Sequence, residues 1–137
     1  MSTSAMFVLD ASVGVKWFKE ERGSAAARVL LRRATHGEIR LAVPTHFVHE
    51  VLATVKREKR LEAVLLAWET IKASGIMIIP LSDEVIVEAV RQCEALGCSF
   101  YDSLAPACAS LLGATLASAD ARAHGAYPDV LMIGAEE

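Results

Sequence analysis

The sequence predicts an α/β fold in which a mostly parallel sheet is covered by helices on both faces. Short apolar segments with strand character alternate along the chain with longer segments that carry helix signals. The strand segments are almost wholly apolar, which is typical of strands that are buried on both faces. The 137 residues contain no repeat, low-complexity tract or linker, so we expect one domain over residues 1–137.

Five strands are predicted from the short apolar runs. They cover residues 6–9, 41–43, 76–79, 116–117 and 130–133. The first run ends at Asp10 and the third is closed by Pro80, a residue that cannot donate to a strand ladder. The long separations between the runs leave room for the helical crossovers that parallel strands need.

Helices are predicted in the segments between these strands. They cover residues 25–33, 44–56, 61–73, 82–96, 101–112 and 121–124. Ser12 or Ser24 is expected to cap the helices that follow the first strand, and Ser82 starts the helix after the third. Gly75 ends a helix as a C-terminal glycine, and Pro106 is expected to be tolerated only near the first turn of its helix.

Composition indicates an aliphatic globular protein, because 53% of the residues are hydrophobic and 6% are aromatic. The three cysteines, Cys93, Cys98 and Cys108, are odd in number and lack zinc-type pairing, so we expect buried thiols in a cytoplasmic protein. The first ten residues lack a basic region, which argues against a signal peptide. No stretch approaches the ~18 apolar residues of a membrane span, so no membrane association is expected.

Charge is distributed unevenly along the chain. Residues 1–60 contain eleven Lys or Arg and six Asp or Glu, whereas residues 61–137 contain three and eleven. The formal net charge of −3 is therefore a poor guide to the substrate. An acidic site that holds a metal ion and has basic flanks can bind nucleic acid.

Four acidic residues stand in apolar surroundings near the ends of predicted elements: Asp10, Glu50, Asp102 and Asp120. Asp10 directly follows the first strand and Asp120 closely follows the fourth, so both lie at the carboxyl edge, where open parallel sheets bind ligands. Glu50 lies in the helix after the second strand, and Asp102 begins a helix whose N-terminus is expected near the same edge. A divalent cation offsets the repulsion between such carboxylates, and sites of this kind usually perform phosphate chemistry.

Each acid also has a purely structural explanation. Taken alone, Asp102 is better explained as a first-turn acid that the helix dipole stabilises, and Asp120 as a turn residue or N-cap. Glu50 is harder to explain in this way because apolar residues flank it. Asp10 is hardest, because it ends a buried strand with no basic partner at an obvious position. Considered together, the four acidic residues are better explained by one metal site than by four separate helix-capping or turn roles.

The segments LDASVGVKWF, HEV, YDSLAPACA and SADAR, in this order and spacing, resemble the PIN-domain ribonucleases. The resemblance spans essentially the whole chain and is strongest to the VapC-type toxins of bacterial and archaeal toxin–antitoxin pairs. It implies a five-stranded PIN-like sheet and an acidic quartet of Asp10, Glu50, Asp102 and Asp120 around Mg²⁺ or Mn²⁺. It also implies hydrolysis of RNA to products with 5′-phosphate and 3′-hydroxyl ends.

Further positions follow from the same resemblance. Ser12 and Ser118 match hydroxyl residues that commonly accompany the first and last Asp, whereas Ala53 departs from a position that is often polar. The resemblance to type II toxins also implies a cognate antitoxin and a homodimer. Val64, Leu65 and Trp68 are assigned to the core by default, with an interface as the alternative.

Basic residues near the predicted site have two interpretations each. Arg122 is placed either to meet an RNA phosphate or to form a surface salt bridge. The same choice, between RNA contact and a solvated helix end, applies to the densest basic run, Lys56, Arg57, Lys59 and Arg60. His46 and His49 lie one helical turn apart and are interpreted as ordinary histidines rather than metal ligands.

Three other protein classes compete with a nuclease. A phosphate-receiver domain needs a late lysine, but no lysine follows Lys72. A haloacid-dehalogenase-type phosphatase needs Asp-x-Asp after the first strand, but here Asp10 is followed by Ala11 and Ser12. A non-catalytic PIN-fold module for RNA binding or regulation remains the alternative to the enzyme.

Overall fold

The computed structural model describes residues 5–134 of the chain. The strands are β1 Met6–Leu9, β2 Arg40–Pro44, β3 Met77–Ile79, β4 Thr115–Ser118 and β5 Val130–Met132. The helices are α1 Ala11–Phe18, α2 Ser24–Thr35, α3 Thr45–Glu58, α4 Glu62–Ala73, α5 Asp83–Leu96, α6 Phe100–Leu112 and α7 Ala121–His124. No helix in this range combines the length and apolarity that crossing a membrane requires.

The five strands form one sheet in the order β3-β2-β1-β4-β5, and every neighbouring pair is parallel. The predicted α/β fold with a parallel sheet is confirmed. Strand β1 is central, and its Val8 pairs with Ala42 of β2 and with Leu116 of β4. The chain moves outward on one side through β2 and β3 and on the other through β4 and β5. The switch in direction therefore lies between β1 and β4, where such sheets form a binding crevice.

Alternate residues of the strands bury opposite faces of the sheet. Leu9 and Val43 join the core under α1, α2 and α3, where Phe47 is the largest fully buried side chain. Val8 and Leu116 face the other way and join the core under α5 and α6. Both faces are therefore covered, which explains why the strands are mostly apolar and carry their polar residues, Arg40, Thr115 and Ser118, at their ends.

The capping predictions were partly wrong. Asp10, not Ser12, caps α1, because its carboxylate accepts the backbone N–H of Ser12 at 3.1 Å. Ser24 is the first residue of α2, and its hydroxyl donates to the carbonyl of Lys19 in the preceding loop at 2.7 Å. Ser82 caps α5 as predicted by accepting the N–H of Val85 at 3.2 Å.

Two further sequence expectations need correction. Pro106 lies inside α6, which continues to Leu112, so the restriction to the first turn was wrong. Cys108 is buried as predicted, and burial raises the pKa of its thiol to about 11. Cys93 and Cys98, in contrast, are only partly buried.

Helices α1 and α3 approach each other closely at Gly14, which is buried. A Cβ atom at this position would lie 2.7 Å from Cγ2 of Val51 and would also overlap the Phe47 ring. Real Cβ atoms essentially never make contacts this short, so the side chains of Phe47 and Val51, or the helices themselves, would have to shift. Glycine at this position therefore allows α3, which carries Glu50, to pack against α1.

Gly14→Ala is expected to lower the free energy of unfolding by about 1–3 kcal/mol, because overpacking forces neighbouring atoms apart. Combining it with Phe47→Leu, which makes room, should cost less than the sum of the two single changes. Urea unfolding of the wild type, both single variants and the double variant measures this coupling. Strictly additive costs would show that the Phe47 ring is not what excludes a side chain at Gly14.

Candidate active site

The four predicted acids all lie on elements that meet at the carboxyl edge of the sheet. Asp10 directly follows β1, and Asp120 follows β4 by two residues and is the N-cap of α7. Asp102 lies in the first turn of α6, and Glu50 lies in α3, which begins where β2 ends. The edge between β1 and β4 is the place where the strand order switches direction.

Asp10 is held by a short network that joins β1 to β4. Its carboxylate Oδ2 accepts the Ser12 hydroxyl at 2.6 Å, and its backbone N–H donates to the carbonyl of Ala117 at 3.0 Å. The Ser12 oxygen in turn accepts the backbone N–H of Ala119 at 3.0 Å. One serine hydroxyl therefore orients the Asp10 carboxylate and ties it to the turn that precedes Asp120.

Asp120 is held by the matching serine at the end of β4. Its backbone N–H donates to the hydroxyl oxygen of Ser118 at 3.0 Å, and its Oδ1 accepts the N–H of Ala123 at 3.1 Å. Ser118 is fully buried. Each of the two serines singled out in the sequence therefore makes a hydrogen bond beside one of the aspartates.

His124 connects this turn to helix α6 and is fully buried. Its Nε2 lies 2.7 Å from the carbonyl oxygen of Asp102, and its Nδ1 lies 2.7 Å from the hydroxyl of Ser118. A carbonyl only accepts, so Nε2 carries the hydrogen and donates. The Ser118 oxygen also accepts the N–H of Asp120, so His124 and Ser118 form one hydrogen-bond network that reaches from Asp102 to Asp120.

Pro106 explains why the Asp102 carbonyl is available to His124. In an α-helix this carbonyl accepts the N–H of the residue four positions later, and that residue is proline, which has none. His124 therefore supplies the missing donor. Sequence analysis missed His124, although a proline inside a predicted helix signals a carbonyl that needs another partner.

Electrostatic interactions link three of the four acids. Partial burial raises the pKa of Glu50, and the nearby carboxylates of Asp10 and Asp102 raise it further. Burial lowers the pKa of the neighbouring His46, and the same two aspartates oppose that change. Asp10, Glu50 and Asp102 therefore lie within interaction range of one another.

Three of the acids lie near one another, but holding a metal ion requires several side chains to be close enough to bind it at the same time. Within residues 5–134, no three His, Cys, Asp or Glu side chains are close enough to hold one metal ion together. Carboxylates without a cation repel one another, so their side chains separate where the backbone lets them. The donor set consists of carboxylate oxygens, which suit hard divalent cations such as Mg²⁺ or Mn²⁺.

The predicted histidines and basic residues form no hydrogen bond or ion pair with the four acids within residues 5–134, and the basic run of residues 56–60 lies at the end of α3 that is remote from this edge. His49 is exposed, and its Nδ1 lies 3.2 Å from the carbonyl of Thr45, whereas His46 is half-buried against Tyr101. Neither histidine is placed as a metal ligand by these contacts. All the basic candidates are exposed, namely Lys56, Arg57, Lys59, Arg60 and Arg122.

Comparison with known proteins agrees with this geometry. The PIN domain family model matches residues 7–127. A toxin–antitoxin complex from Klebsiella pneumoniae is similar in structure, with a TM-score of 0.68 and 18% identity over 94% of this chain and 97% of that chain. VapBC2 from Rickettsia felis, solved bound to a promoter DNA fragment, has a TM-score of 0.68 and 16% identity over 93% and 96% of the two chains.

A third solved structure is VapC20 from Mycobacterium tuberculosis, described as a sarcin–ricin-loop-cleaving toxin. It has a TM-score of 0.66 and 14% identity over 89% of this chain and 95% of that chain. Comparison with curated proteins finds no match to this sequence. At these identities the solved structures show that the fold is shared.

The bond between His124 and Asp102 gives a stability prediction. His124→Leu is expected to lower the free energy of unfolding by about 2–4 kcal/mol, because a buried carbonyl and a buried hydroxyl both lose their partner. Adding Pro106→Ala restores an N–H that can bond the Asp102 carbonyl within the helix. The double variant should therefore be more stable than additivity predicts, by about 1 kcal/mol.

Urea unfolding of the wild type, the two single variants and the double variant measures this coupling. Pro80→Ala is the matched control, because Pro80 is exposed and lies outside the helices. Its effect on the free energy of unfolding should add to that of His124→Leu. Additive behaviour of Pro106→Ala as well would contradict the assignment of His124 as the substitute donor.

Proposed function

Because the chain belongs to the PIN domain family, we propose that it is a divalent-metal-dependent endoribonuclease that hydrolyses RNA phosphodiester bonds. One observation carries the proposal: Asp10, Glu50 and Asp102, from three different elements, interact electrostatically at the carboxyl edge of the sheet. Carboxylates that several elements bring to one edge of a sheet are expected where a cation neutralises them. We extend the family assignment to residues 1–137 as one PIN domain.

In this proposal Asp10, Asp102 and Asp120 are the ligands of Mg²⁺ or Mn²⁺, and Glu50 completes the set or orients the attacking water. When bound, the ion lowers the pKa of water and neutralises negative charge on the phosphate. Ser12 and Ser118 act as positioning residues, because each holds the turn that presents an aspartate. The expected products carry 5′-phosphate and 3′-hydroxyl ends.

Exposed basic residues are proposed to contact the RNA backbone. Arg122 lies two residues after Asp120 in α7, which makes it the candidate nearest in sequence to the site. Lys56 and Arg57 form the last turn of α3, and Lys59 and Arg60 follow. Glu50 and Lys56 are six residues apart on one helix, about 9 Å along its axis, so we propose that RNA reaches Lys56 by following α3 away from the acids.

Asp10→Asn is expected to abolish divalent-dependent RNA cleavage and to leave the fold intact. Asparagine is as good an N-cap as aspartate, so α1 keeps its cap while the charge is lost. Cleavage is measured on a panel of single-stranded and hairpin RNAs, including a sarcin–ricin-loop hairpin, with Mg²⁺, Mn²⁺ or a chelator. Circular dichroism and thermal unfolding check that the fold is intact.

Asp129→Asn is the matched control for this experiment. Asp129 directly precedes β5, at the opposite end of the strands, where its carboxylate accepts the Thr115 hydroxyl at 3.0 Å. Its loss should leave cleavage unchanged. If the wild type binds neither metal and cleaves no RNA in the panel, the chain is instead the non-catalytic RNA-binding or regulatory module.

We further propose that the protein is the toxin of a type II toxin–antitoxin pair, acts in the cytoplasm, and forms a homodimer. Two solved structures with this fold are of toxin–antitoxin pairs, which supports an antitoxin partner. Among the residues first assigned to the core, Leu65 is 70% exposed, and Val64 and Trp68 are half-buried. Leu61 and Leu66 are also exposed, so α4 has apolar surface for a partner.

Leu65→Glu is expected to weaken binding of the co-expressed protein from the adjacent reading frame, because a charge cannot be buried without a partner. Thr70→Glu, on the same helix and half-buried, is the control. Sedimentation of the chain alone reports its oligomeric state, and co-purification reports the complex. A monomer that no neighbouring gene product binds would contradict this part of the proposal.

A further inference from the structure

A cavity of about 280 Å³ opens beside the candidate active site. Pro44 and Ile79 line it and are the last residues of β2 and β3, so the cavity lies at the carboxyl edge of the sheet. Tyr101 lines its other side and directly precedes Asp102. The cavity is therefore continuous in sequence and in space with the elements that carry the carboxylates.

The lining of the cavity is mostly aromatic and apolar. It includes Pro44, Ile79, Phe100, Tyr101 and Leu104, and its titratable side chains other than Tyr101 are His46 and His49; it has no lysine, arginine, aspartate or glutamate among the described residues. A phosphate group would find no lysine or arginine there, whereas a flat ring would find matching apolar and aromatic surfaces. The volume lies just below the ~300–1,000 Å³ of pockets for drug-sized ligands, which favours a single ring system over a larger molecule.

Two features of the lining favour a ligand that has a flat ring face and a polar edge. Tyr101 is 59% exposed and Phe100 is 44% exposed at the start of α6, although both are large aromatic residues. The ring of His46 packs edge-on against Tyr101 at a centroid distance of 5.0 Å, and its buried Nδ1 has no hydrogen-bond partner within the described residues. Because this nitrogen is itself buried, a ligand in the cavity would meet other atoms of the His46 ring, which lines the cavity.

We infer that this cavity binds one unpaired base of the RNA substrate, stacked on Tyr101 with its polar edge toward His46. The inference rests on the proposed ribonuclease function and names how that site recognises single-stranded RNA. Stacking on aromatic side chains and hydrogen bonds to base edges are the usual means of reading unpaired RNA. The base occupies the neutral cavity while the adjoining phosphate lies over the carboxylate edge.

An RNA base fits these observations better than a side chain of a protein partner. The cavity adjoins the residues proposed to act on the phosphodiester, and Glu50 lies one turn after His46 on α3. A nucleotide joins a neutral ring to an anionic phosphate, which matches a neutral cavity beside a metal-binding edge. The exposed apolar surface on α4 is a separate place for a protein partner.

The test uses short single-stranded RNAs in which each position in turn carries the fluorescent base 2-aminopurine. Binding is measured in chelator, so that it does not depend on cleavage. We expect the wild type to quench the fluorescence of one position strongly. Tyr101→Ala should remove this quenching and weaken binding about tenfold, the scale of one base–aromatic stacking contact. Tyr101→Phe keeps the stacking face and should behave as the wild type.

Leu111→Ala is the matched control, because Leu111 is 46% exposed on the same helix but near its opposite end. Quenching and affinity that are unchanged in Tyr101→Ala would overturn the inference. It is equally overturned if Tyr101→Ala binds RNA normally but no longer binds the antitoxin. Cleavage of RNA without position-specific quenching refutes only the base cavity, whereas quenching without cleavage refutes only the proposed catalysis.

Discussion

The hydrogen bond from His124 to the carbonyl of Asp102 is the constraint on which the arrangement of the site depends. Pro106 removes the helical donor to this carbonyl, and a buried carbonyl without a donor is costly. His124 satisfies it while its Nδ1 also forms a hydrogen bond with the Ser118 hydroxyl. The start of α6 and the end of β4 are therefore locked together, and with them the backbones that carry two of the four acids.

Capping and metal binding are compatible roles for the aspartates, because a carboxylate has two oxygens. Asp10 uses Oδ2 for Ser12, and Asp120 uses Oδ1 for the N–H of Ala123. The second oxygen of each makes no hydrogen bond within residues 5–134, so it is available to a ligand. The structural and the functional explanations of these residues therefore do not exclude each other, and the cap helps to aim the free oxygen.

The fold was largely predictable because its signals are local. Apolar runs, capping residues and helix-ending glycines are read within a few positions, and the carboxyl edge follows from parallel strands alone. The contacts that position the site are not local: Ser12 bonds Ala119 across 107 residues, and His124 bonds Asp102 across 22. The periodic pattern of apolar residues along a sequence does not indicate which distant residues form such hydrogen bonds. Ser12 also shows how a local rule fails, since tertiary contacts on both sides recruit its hydroxyl.

The cavity could not be predicted for the same reason, because its lining comes from the ends of two strands and the starts of three helices. Its lack of lysine, arginine and carboxylate side chains has a physical consequence beside the acidic edge. Burial raises the pKa of Glu50, and the carboxylates of Asp10 and Asp102 raise it further, so these neighbours disfavour the charged form of Glu50 when no cation is present. A metal ion would relieve this repulsion and so favour the folded, substrate-ready arrangement. A pocket without lysine, arginine or carboxylate side chains adds no fixed charge to that balance, so the proposed base recognition and metal binding would act on neighbouring surfaces without opposing each other.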